Sequence, residues 1–274
     1  MIDKEVPKPL DRTVDNAEIA KFAAMAEEWW DPEGKFRPLH KFNPVRLEFL
    51  RDRIASHFGL DATKVRPFDG LTILDIGCGG GLLTEPMARL GATVTGLDAT
   101  ERNVEVARLH AEQMDLEIEY KFATAAELAE TGRTFDVVLN MEVIEHVADR
   151  DAFLADCAAL VRPGGLMFLA TLNRTAKAYM LAIVGAEYVM GWLPRGTHDW
   201  RRFVRPSEMA APLREAGMAL TAVSGVVYNP LRDRWSLSAN DLDVNYIAVA
   251  EKHDTGPTAQ AQAAAKTAAM GRSQ

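Results

Sequence analysis

Cysteine and long apolar runs are both scarce in this chain of 274 residues. Cysteine occurs only at Cys78 and Cys157, and these two positions lack the paired spacing of a zinc site or a disulfide framework. No apolar run reaches the roughly 20 residues that a membrane-spanning helix needs. We therefore expect neither a disulfide scaffold nor a transmembrane segment.

An excess of positive charge is also lacking. The chain has 31 Lys and Arg against 39 Asp and Glu, for a net charge of −8, and 48% of its residues are hydrophobic. A nucleic-acid surface needs clustered basic residues, so we expect no nucleic-acid partner. Asp3 and Glu5 lie near the beginning without an apolar signal region, which predicts a cytoplasmic protein.

The stretch 71–81 combines a short apolar run with four glycines in five positions. Its sequence is Leu-Thr-Ile-Leu-Asp-Ile-Gly-Cys-Gly-Gly-Gly, and an amphipathic helical pattern follows it. A strand, a glycine turn and a helix form the nucleotide-binding start of a doubly wound α/β sheet. A dinucleotide fingerprint requires a further glycine where this chain has Leu82 or Thr84, so the stretch does not match that fingerprint.

The spacing is instead Asp-x-Gly-x-Gly-x-Gly, beginning at Asp75 with Gly77 and Gly79 as the first two glycines. This spacing resembles motif I of the class I S-adenosylmethionine (SAM)-dependent methyltransferases. The resemblance implies a Rossmann-like α/β fold with SAM as the cofactor. It also implies that Asp75, Gly77 and Gly79 lie at the cofactor, with the loop passing the methionine part of the ligand.

Strand and helix patterns alternate after the loop, which predicts right-handed parallel crossovers. With the resemblance, we expect a seven-stranded, mostly parallel sheet with an antiparallel closing strand. Two helices precede the sheet as an N-terminal lid over the cofactor cleft, the first capped by Asp15 and the second running from about Val45 to Phe58. The expected division is a loose N-terminus (1–14), the helical lid (15–60), the methyltransferase domain (61–252) with an insertion at 174–205, and a disordered tail (253–274).

Three residues outside the loop are predicted to contact the cofactor. Asp98 ends the second predicted strand about 20 residues after the loop, where an acidic residue accepts the ribose hydroxyls; a turn carboxylate is the alternative. Arg46 precedes the sheet, and a guanidinium suits the carboxylate of an amino-acid ligand; a solvated helix residue is the alternative. Met141 ends the fourth predicted strand, where its backbone or thioether can reach the cofactor.

Glu142, Glu145 and His146 follow that strand at helical spacing, so one helical turn can aim all three the same way. Two carboxylates and an imidazole are competent ligands for Mg²⁺ or another divalent cation, which would lower the pKa of a substrate hydroxyl. A metal-free reading stays open, because Glu-His after this strand is common in methyltransferases that use no metal. Glu142, His146 and His198 are then the candidates for the catalytic base.

Several stretches narrow the resemblance to the ubiquinone-biosynthesis O-methyltransferases, over about residues 14–252. These stretches are 18–22, 29–31, 38–47, 91–98, 171–174, 184–188, 196–199 and 243–246. The resemblance implies methylation of 2-polyprenyl-6-hydroxyphenol and of 3-demethylubiquinol. It also implies cofactor contacts at Arg46, Gly77, Asp98 and Met141, with other ubiquinone-biosynthesis enzymes as candidate partners.

The stretch 177–193 is apolar and aromatic, but it is too short and interrupted to span a bilayer. Its basic flanks, Lys177, Arg195, Arg201 and Arg202, suit an interfacial element or a hydrophobic substrate mouth. We therefore expect a polyprenyl phenol or quinol substrate and peripheral contact with the inner face of the cytoplasmic membrane. A further helix packed on the sheet is the alternative.

Two other functions remain open from the sequence. One is O- or C-methylation of another small aromatic substrate on the same scaffold. The other is a non-catalytic SAM-binding subunit of a biosynthetic assembly, which an intact glycine loop beside a Glu/Glu/His cluster disfavours.

Overall fold

One sheet organises the protein, which a computed structural model describes for residues 11–183, 199–230 and 232–254. Its strands are β1 (Thr72–Ile76), β2 (Thr93–Asp98), β3 (Glu119–Phe122), β4 (Phe135–Met141), β5 (Val161–Leu172), β6 (Met218–Asn229), β7 (Arg234–Ser238) and β8 (Asn245–Lys252). Their order across the sheet is β3-β2-β1-β4-β5-β8-β6-β7. Strands β1 to β5 run parallel, and β6 to β8 close the sheet antiparallel.

The expected class I methyltransferase sheet is confirmed in its mostly parallel order, but the described residues form eight strands where seven were predicted. The extra strand is β7, which pairs with β6 through the register from Gly225↔Ser238 to Asn229↔Arg234. It has five residues and lies at the outer edge, and none of its side chains is fully buried. A strand of this kind has no apolar run that would reveal it in the sequence.

Helices cover both faces of the sheet. They are α1 (Asn16–Ala23), α2 (Arg37–Phe58), α3 (Thr84–Arg89), α4 (Glu101–Gln113), α5 (Ala125–Ala129), α6 (Arg150–Ala159), α7 (Ala176–Ala178) and α8 (Pro206–Glu215). In β1, the fully buried Ile73 packs in the core beneath α2, and Leu74 packs in the core beneath α6 and α8. Burial of each such side chain contributes about 1.5–3 kcal/mol, so both helical layers are held to the sheet.

The lid differs in detail from the sequence expectation. The Asp15 side chain caps α1 by accepting the Ala17 N–H at 3.0 Å, as predicted. Helix α2 begins at Arg37, eight residues before the predicted start, and continues through Pro44. Its early proline, Pro38, lies in the first turn, where a missing N–H costs nothing. The predicted start at about Val45 placed Pro44 just before the helix, but Pro44 lies inside it, because burial of the α2 face against the sheet outweighs the lost hydrogen bond.

Residues 11–14, the end of the N-terminal segment that was predicted to be loose, are packed against the protein. Thr13 is buried, and its carbonyl accepts the Ala148 N–H at 3.0 Å, so residues 11–14 are fixed against the loop after β4. The central part of the insertion (184–198), with His198, and the tail beyond 254 lie outside the described residues. Among the helices that the structure describes, none is long and apolar enough to cross a membrane.

Candidate active site

A cavity of about 660 Å³ opens at the carboxyl edge of the sheet, where β1 and β4 lie side by side. The chain leaves these two strands in opposite directions across the sheet, and such a switch point is the usual ligand crevice of a doubly wound fold. Nine of the ten predicted site residues line the cavity, and His198 is not among the described residues. The nine are Arg46, Asp75, Gly77, Gly79, Asp98, Met141, Glu142, Glu145 and His146.

Asp98 ends β2 with its carboxylate held from three sides. Its Oδ2 accepts the Gly79 N–H at 2.8 Å, and its Oδ1 accepts the Thr100 N–H at 2.8 Å and the Asn103 side-chain amide at 3.2 Å. Burial raises the pKa of Asp98, and these hydrogen bonds oppose the shift. A fixed, buried carboxylate at this strand end is suited to accept hydroxyl groups from a ligand.

The glycines of the loop are explained by packing within the protein. Gly77 (φ 69°) and Gly79 (φ 54°) adopt the left-handed conformation that side chains disfavour. A Cβ at Gly77 would collide with Val143, and a Cβ at Gly79 or at Gly80 would collide with the Trp29 ring. The family resemblance placed Gly77 and Gly79 at the cofactor, whereas contacts with the lid and with the loop after β4 already require glycine at these positions.

Asp75 connects the two ends of the glycine loop. Its carboxylate accepts the Thr84 hydroxyl at 2.6 Å and thereby joins the end of β1 to the start of α3. Burial, with a smaller contribution from the charge of Asp98, raises its pKa to about 6, while Thr84 and Arg46 act in the opposite direction. Asp75 therefore shapes the loop and supplies a second acidic group to the cavity wall.

Arg46 places a buried guanidinium in the cavity wall. Its Nη2 donates to the Asn43 side chain at 3.0 Å, and its guanidinium carbon lies 4.7 Å from the centre of the Phe42 ring. Burial lowers the pKa of Arg46, and the charges of Glu142 and Asp75 oppose that shift. The buried Nε of Arg46 has no hydrogen-bond partner in the described protein. A buried donor without a partner is costly, so this group is suited to a carboxylate ligand.

The segment after β4 is a tight turn, and the prediction that one helical turn aims Glu142, Glu145 and His146 the same way is wrong. Glu142 adopts a left-handed backbone (φ 61°) directly after Met141, and its N–H donates to the Ala170 carbonyl at 2.8 Å. This reversal ends the strand and prevents a helix. His146 consequently faces a different partner from the two glutamates.

Glu145 and Glu142 interact with each other. The Glu145 Oε2 accepts the Thr171 hydroxyl at 2.8 Å, and Glu145 is buried. Burial, followed by the Glu142 carboxylate, raises the pKa of Glu145 well above its usual value. The buried Oε1 of Glu142 has no hydrogen-bond partner in the described protein.

His146 is held by the lid instead. Its Nδ1 lies 2.8 Å from Oε2 of Glu18 on α1, and its ring meets the Phe22 ring edge-on at 5.1 Å. The described ranges contain no group of three or more His, Cys, Asp or Glu side chains arranged to hold a metal ion. The predicted set of three metal ligands is therefore not assembled, because the turn sends His146 toward α1.

Two contacts to this site were missed from the sequence. In the sequence, Glu18 and Trp29 entered only as parts of the stretches 18–22 and 29–31 that carry the family resemblance. The Trp29 indole N–H donates to the Asn103 side-chain oxygen at 2.9 Å, beside Asp98. The one available signal was Asn103 itself, a polar side chain in the first turn of a helix that begins at the carboxyl edge of the sheet.

Comparison with known proteins shows that this chain is similar to methyltransferases. Residues 74–169 match a family model described as a methyltransferase domain. The chain is 63% identical over 240 residues to the ubiquinone biosynthesis O-methyltransferase of Parvibaculum lavamentivorans, covering 88% of this chain and 94% of that protein. It is 59% identical over 247 residues to the protein of the same name from Mesorhizobium japonicum, covering 90% of this chain and 99% of that protein.

A solved structure with the same fold is magnesium protoporphyrin IX methyltransferase from Synechocystis PCC 6803 with bound S-adenosylhomocysteine (SAH). Its TM-score is 0.56 at 18% identity, covering 85% of this chain and 94% of that chain. At this identity the likeness concerns the fold alone.

Proposed function

Because the chain belongs to the family of ubiquinone biosynthesis O-methyltransferases, we propose that it methylates the phenolic hydroxyls of 2-polyprenyl-6-hydroxyphenol and of 3-demethylubiquinol. It is a SAM-dependent O-methyltransferase of ubiquinone biosynthesis. The observation that carries the proposal is that a single cavity holds both the Asp98 network and the turn containing His146.

The cofactor end of the cavity fits SAM. Asp98 would accept the ribose hydroxyls, Arg46 would bind the carboxylate of the methionine part, and Gly77, Gly79 and Met141 would line its path. When bound, SAM supplies a methyl group on a positively charged sulfur. The protein contributes the fixed positions of these groups, and positioning two reactants supplies a large share of such a rate enhancement.

At the other end, His146 is proposed as the base that removes the phenolic proton. A phenol with a pKa of about 10 is mostly protonated at neutral pH, so methyl transfer gains from a base within reach. Glu18 contacts Nδ1 of His146, which leaves Nε2 as the ring nitrogen to accept the proton. The Glu18 carboxylate also favours the neutral tautomer of His146 that carries its proton on Nδ1, as a carboxylate does for a histidine base.

The predicted metal ion stays a prediction. Chelation followed by elemental analysis and a methyl-transfer assay tests it. Loss of turnover with SAM binding intact, and recovery on adding Mg²⁺, would support ligands at Glu142 and Glu145. Full turnover by metal-free protein would contradict them.

The apolar wall of the cavity supports a lipid acceptor. Leu39, Leu172, Leu181, Val226 and Trp235 all line it. Such a wall favours an aromatic ring that carries a prenyl tail over a small polar acceptor. We further propose peripheral contact with the cytoplasmic membrane through the segment 174–205, and other enzymes of ubiquinone biosynthesis as partners.

The test is turnover with a prenylated catechol and SAM, with the product identified by mass spectrometry. We expect one added methyl group on oxygen and a higher kcat/KM for the prenylated acceptor than for unsubstituted catechol. Methylation on carbon, or equal efficiency for both acceptors, would favour a methyltransferase of small aromatic compounds. Absence of turnover with SAM bound would favour a non-catalytic subunit.

A further inference from the structure

Trp29 connects the lid to the predicted ribose site. It is buried, and its ring stacks flat on Phe36 with the ring centres 3.7 Å apart. The Trp29 side chain also packs against the glycine loop, where Gly79 and Gly80 leave room for it. Its indole N–H donates to Oδ1 of Asn103 at 2.9 Å.

This hydrogen bond decides which way the Asn103 amide points. An asparagine side chain has one end that accepts and one end that donates, and an indole N–H can only donate. Trp29 therefore fixes the Asn103 oxygen toward the lid and the Asn103 NH₂ group toward Asp98, which accepts it at 3.2 Å. With the amide reversed, two donors would meet at Trp29 and two acceptors at Asp98.

Asp98 depends on this arrangement for its own geometry. Its Oδ1 receives the Asn103 amide and the Thr100 N–H, and its Oδ2 receives the Gly79 N–H. Each donor stabilises the buried carboxylate in its charged form, and together they fix the plane of the carboxylate. Ligand hydroxyls must meet the remaining lone pairs of a carboxylate that is already oriented.

We infer that Trp29 is a positioning residue for ribose recognition, acting from the lid through Asn103 on Asp98. The inference rests on the proposed cofactor site at Asp98. It also implies that binding of the ribose hydroxyls and docking of the lid stabilise each other, because linkage between two equilibria is reciprocal.

A simple packing role for Trp29 makes a different prediction. If only the ring matters, Trp29→Phe keeps most of the contact with the glycine loop and lowers the affinity for all ligands equally. The neighbouring Trp30 gives a matched control, because its indole N–H donates to the Gly80 carbonyl at 2.8 Å and its ring stacks on His110. Trp30→Phe removes one hydrogen bond between lid and loop without touching Asn103.

The experiment measures Kd by calorimetry for SAH and for its 2′-deoxy analogue. We expect wild type to prefer SAH, and Trp29→Phe to reduce that preference by about three- to ten-fold, the value of one hydrogen bond. Trp30→Phe is expected to keep the wild-type preference. Hydrogen exchange of the lid residues should slow on adding SAH in wild type, and less so in Trp29→Phe.

A second variant covers the case in which Trp29→Phe does not fold. Asn103→Ala removes the side chain that links Trp29 to Asp98. It should reduce the preference for SAH over the 2′-deoxy analogue to a similar degree. In the double variant the two losses should not add, because both remove the same orientation of Asp98.

The outcomes separate this inference from the proposed site. If Asp98→Asn keeps the full preference for SAH over the 2′-deoxy analogue, the ribose site at Asp98 and the role of Trp29 are both overturned. If Asp98→Asn loses the preference while Trp29→Phe and Asn103→Ala keep it, the site stands and the role of Trp29 is overturned. An equal loss of preference in Trp30→Phe would also overturn it.

Discussion

Oε2 of Glu18 lies 2.8 Å from Nδ1 of His146, across 128 residues of sequence. A side chain of the lid thus orients a side chain in the turn after β4. The side chains are 22% and 16% exposed, so the pair is shielded from solvent enough for its geometry to be held.

The first prediction concerns Glu18. Glu18→Gln should lower kcat by at least ~10-fold, because an uncharged amide no longer stabilises the positive charge that His146 gains when it accepts the phenolic proton. The affinity for SAM should change by less than a factor of about two, since the cofactor contacts lie elsewhere. Glu27→Gln is the matched control, because Glu27 is an exposed lid carboxylate that pairs with Arg102. Equal kcat values for wild type and Glu18→Gln would contradict the role of Glu18.

The second prediction concerns Asp98. Asp98→Ala should weaken SAM binding by ~1–3 kcal/mol, because the ribose hydroxyls lose a charged acceptor. Calorimetry on the folded variant measures this loss, and circular dichroism checks the fold. Asp69→Ala, at an exposed carboxylate that pairs with Arg66 in the turn before β1, serves as the control. Unchanged affinity in folded Asp98→Ala protein would remove Asp98 from the cofactor site.

The third prediction is a dependence of stability on pH through Asp75. Its pKa is raised from 3.8 to about 6 in the folded protein, so between these values the folded state holds a proton that the unfolded state has released. Stability from this group is therefore full below pH 3.8 and declines as the pH rises through 6. The whole effect amounts to about 3 kcal/mol.

Asp75→Asn removes this titration and keeps an oxygen that can accept the Thr84 hydroxyl. The free energy of unfolding of Asp75→Asn minus that of wild type should therefore increase between pH 4 and pH 7. Urea titrations of the ligand-free protein at several pH values measure the difference. A difference that stays constant across this range would show that Asp75 does not titrate there.

The fourth prediction concerns membrane contact. Tyr179, Met180 and Leu181, after α7, are 45%, 56% and 52% exposed. Replacing all three with Ser should reduce co-sedimentation with vesicles of anionic lipid, because apolar insertion is lost. Val65→Ser is the control, since Val65 is an apolar residue that is 89% exposed but is distant in sequence from Tyr179, Met180 and Leu181. Cofactor affinity should be unchanged, and undiminished sedimentation of the triple variant would assign the segment to another role.

The sequence was sufficient for the parts of the fold that local patterns encode. The apolar run of β1, the glycine turn and the helix that follows were predicted from residues 71–90, and the position of Asp98 followed from the end of the second predicted strand. These features are local, because each depends on side-chain periodicity or on backbone freedom within about ten residues.

Contacts over long sequence distances could not be predicted in this way. The spacing of Glu142 and His146 fits a helix, yet the reversed backbone at Glu142 is set by pairing of β4 with β5. The start of α2 was misplaced because Pro44 is a local signal, whereas burial against the sheet is a tertiary effect. Trp29 carries no local sign that Gly79 and Gly80 make room for it.

The order in which the chain is synthesised makes the lid contacts late ones. Trp29 leaves the ribosome 74 residues before Asn103, and Glu18 leaves it 128 residues before His146. At about 5–20 residues per second, the second interval lasts on the order of ten seconds. For that time the apolar side chains of Ala26, Trp29 and Phe36 have no completed sheet to dock on. The apolar side chains of the nascent lid are therefore open to solvent, and to any chaperone, for that time.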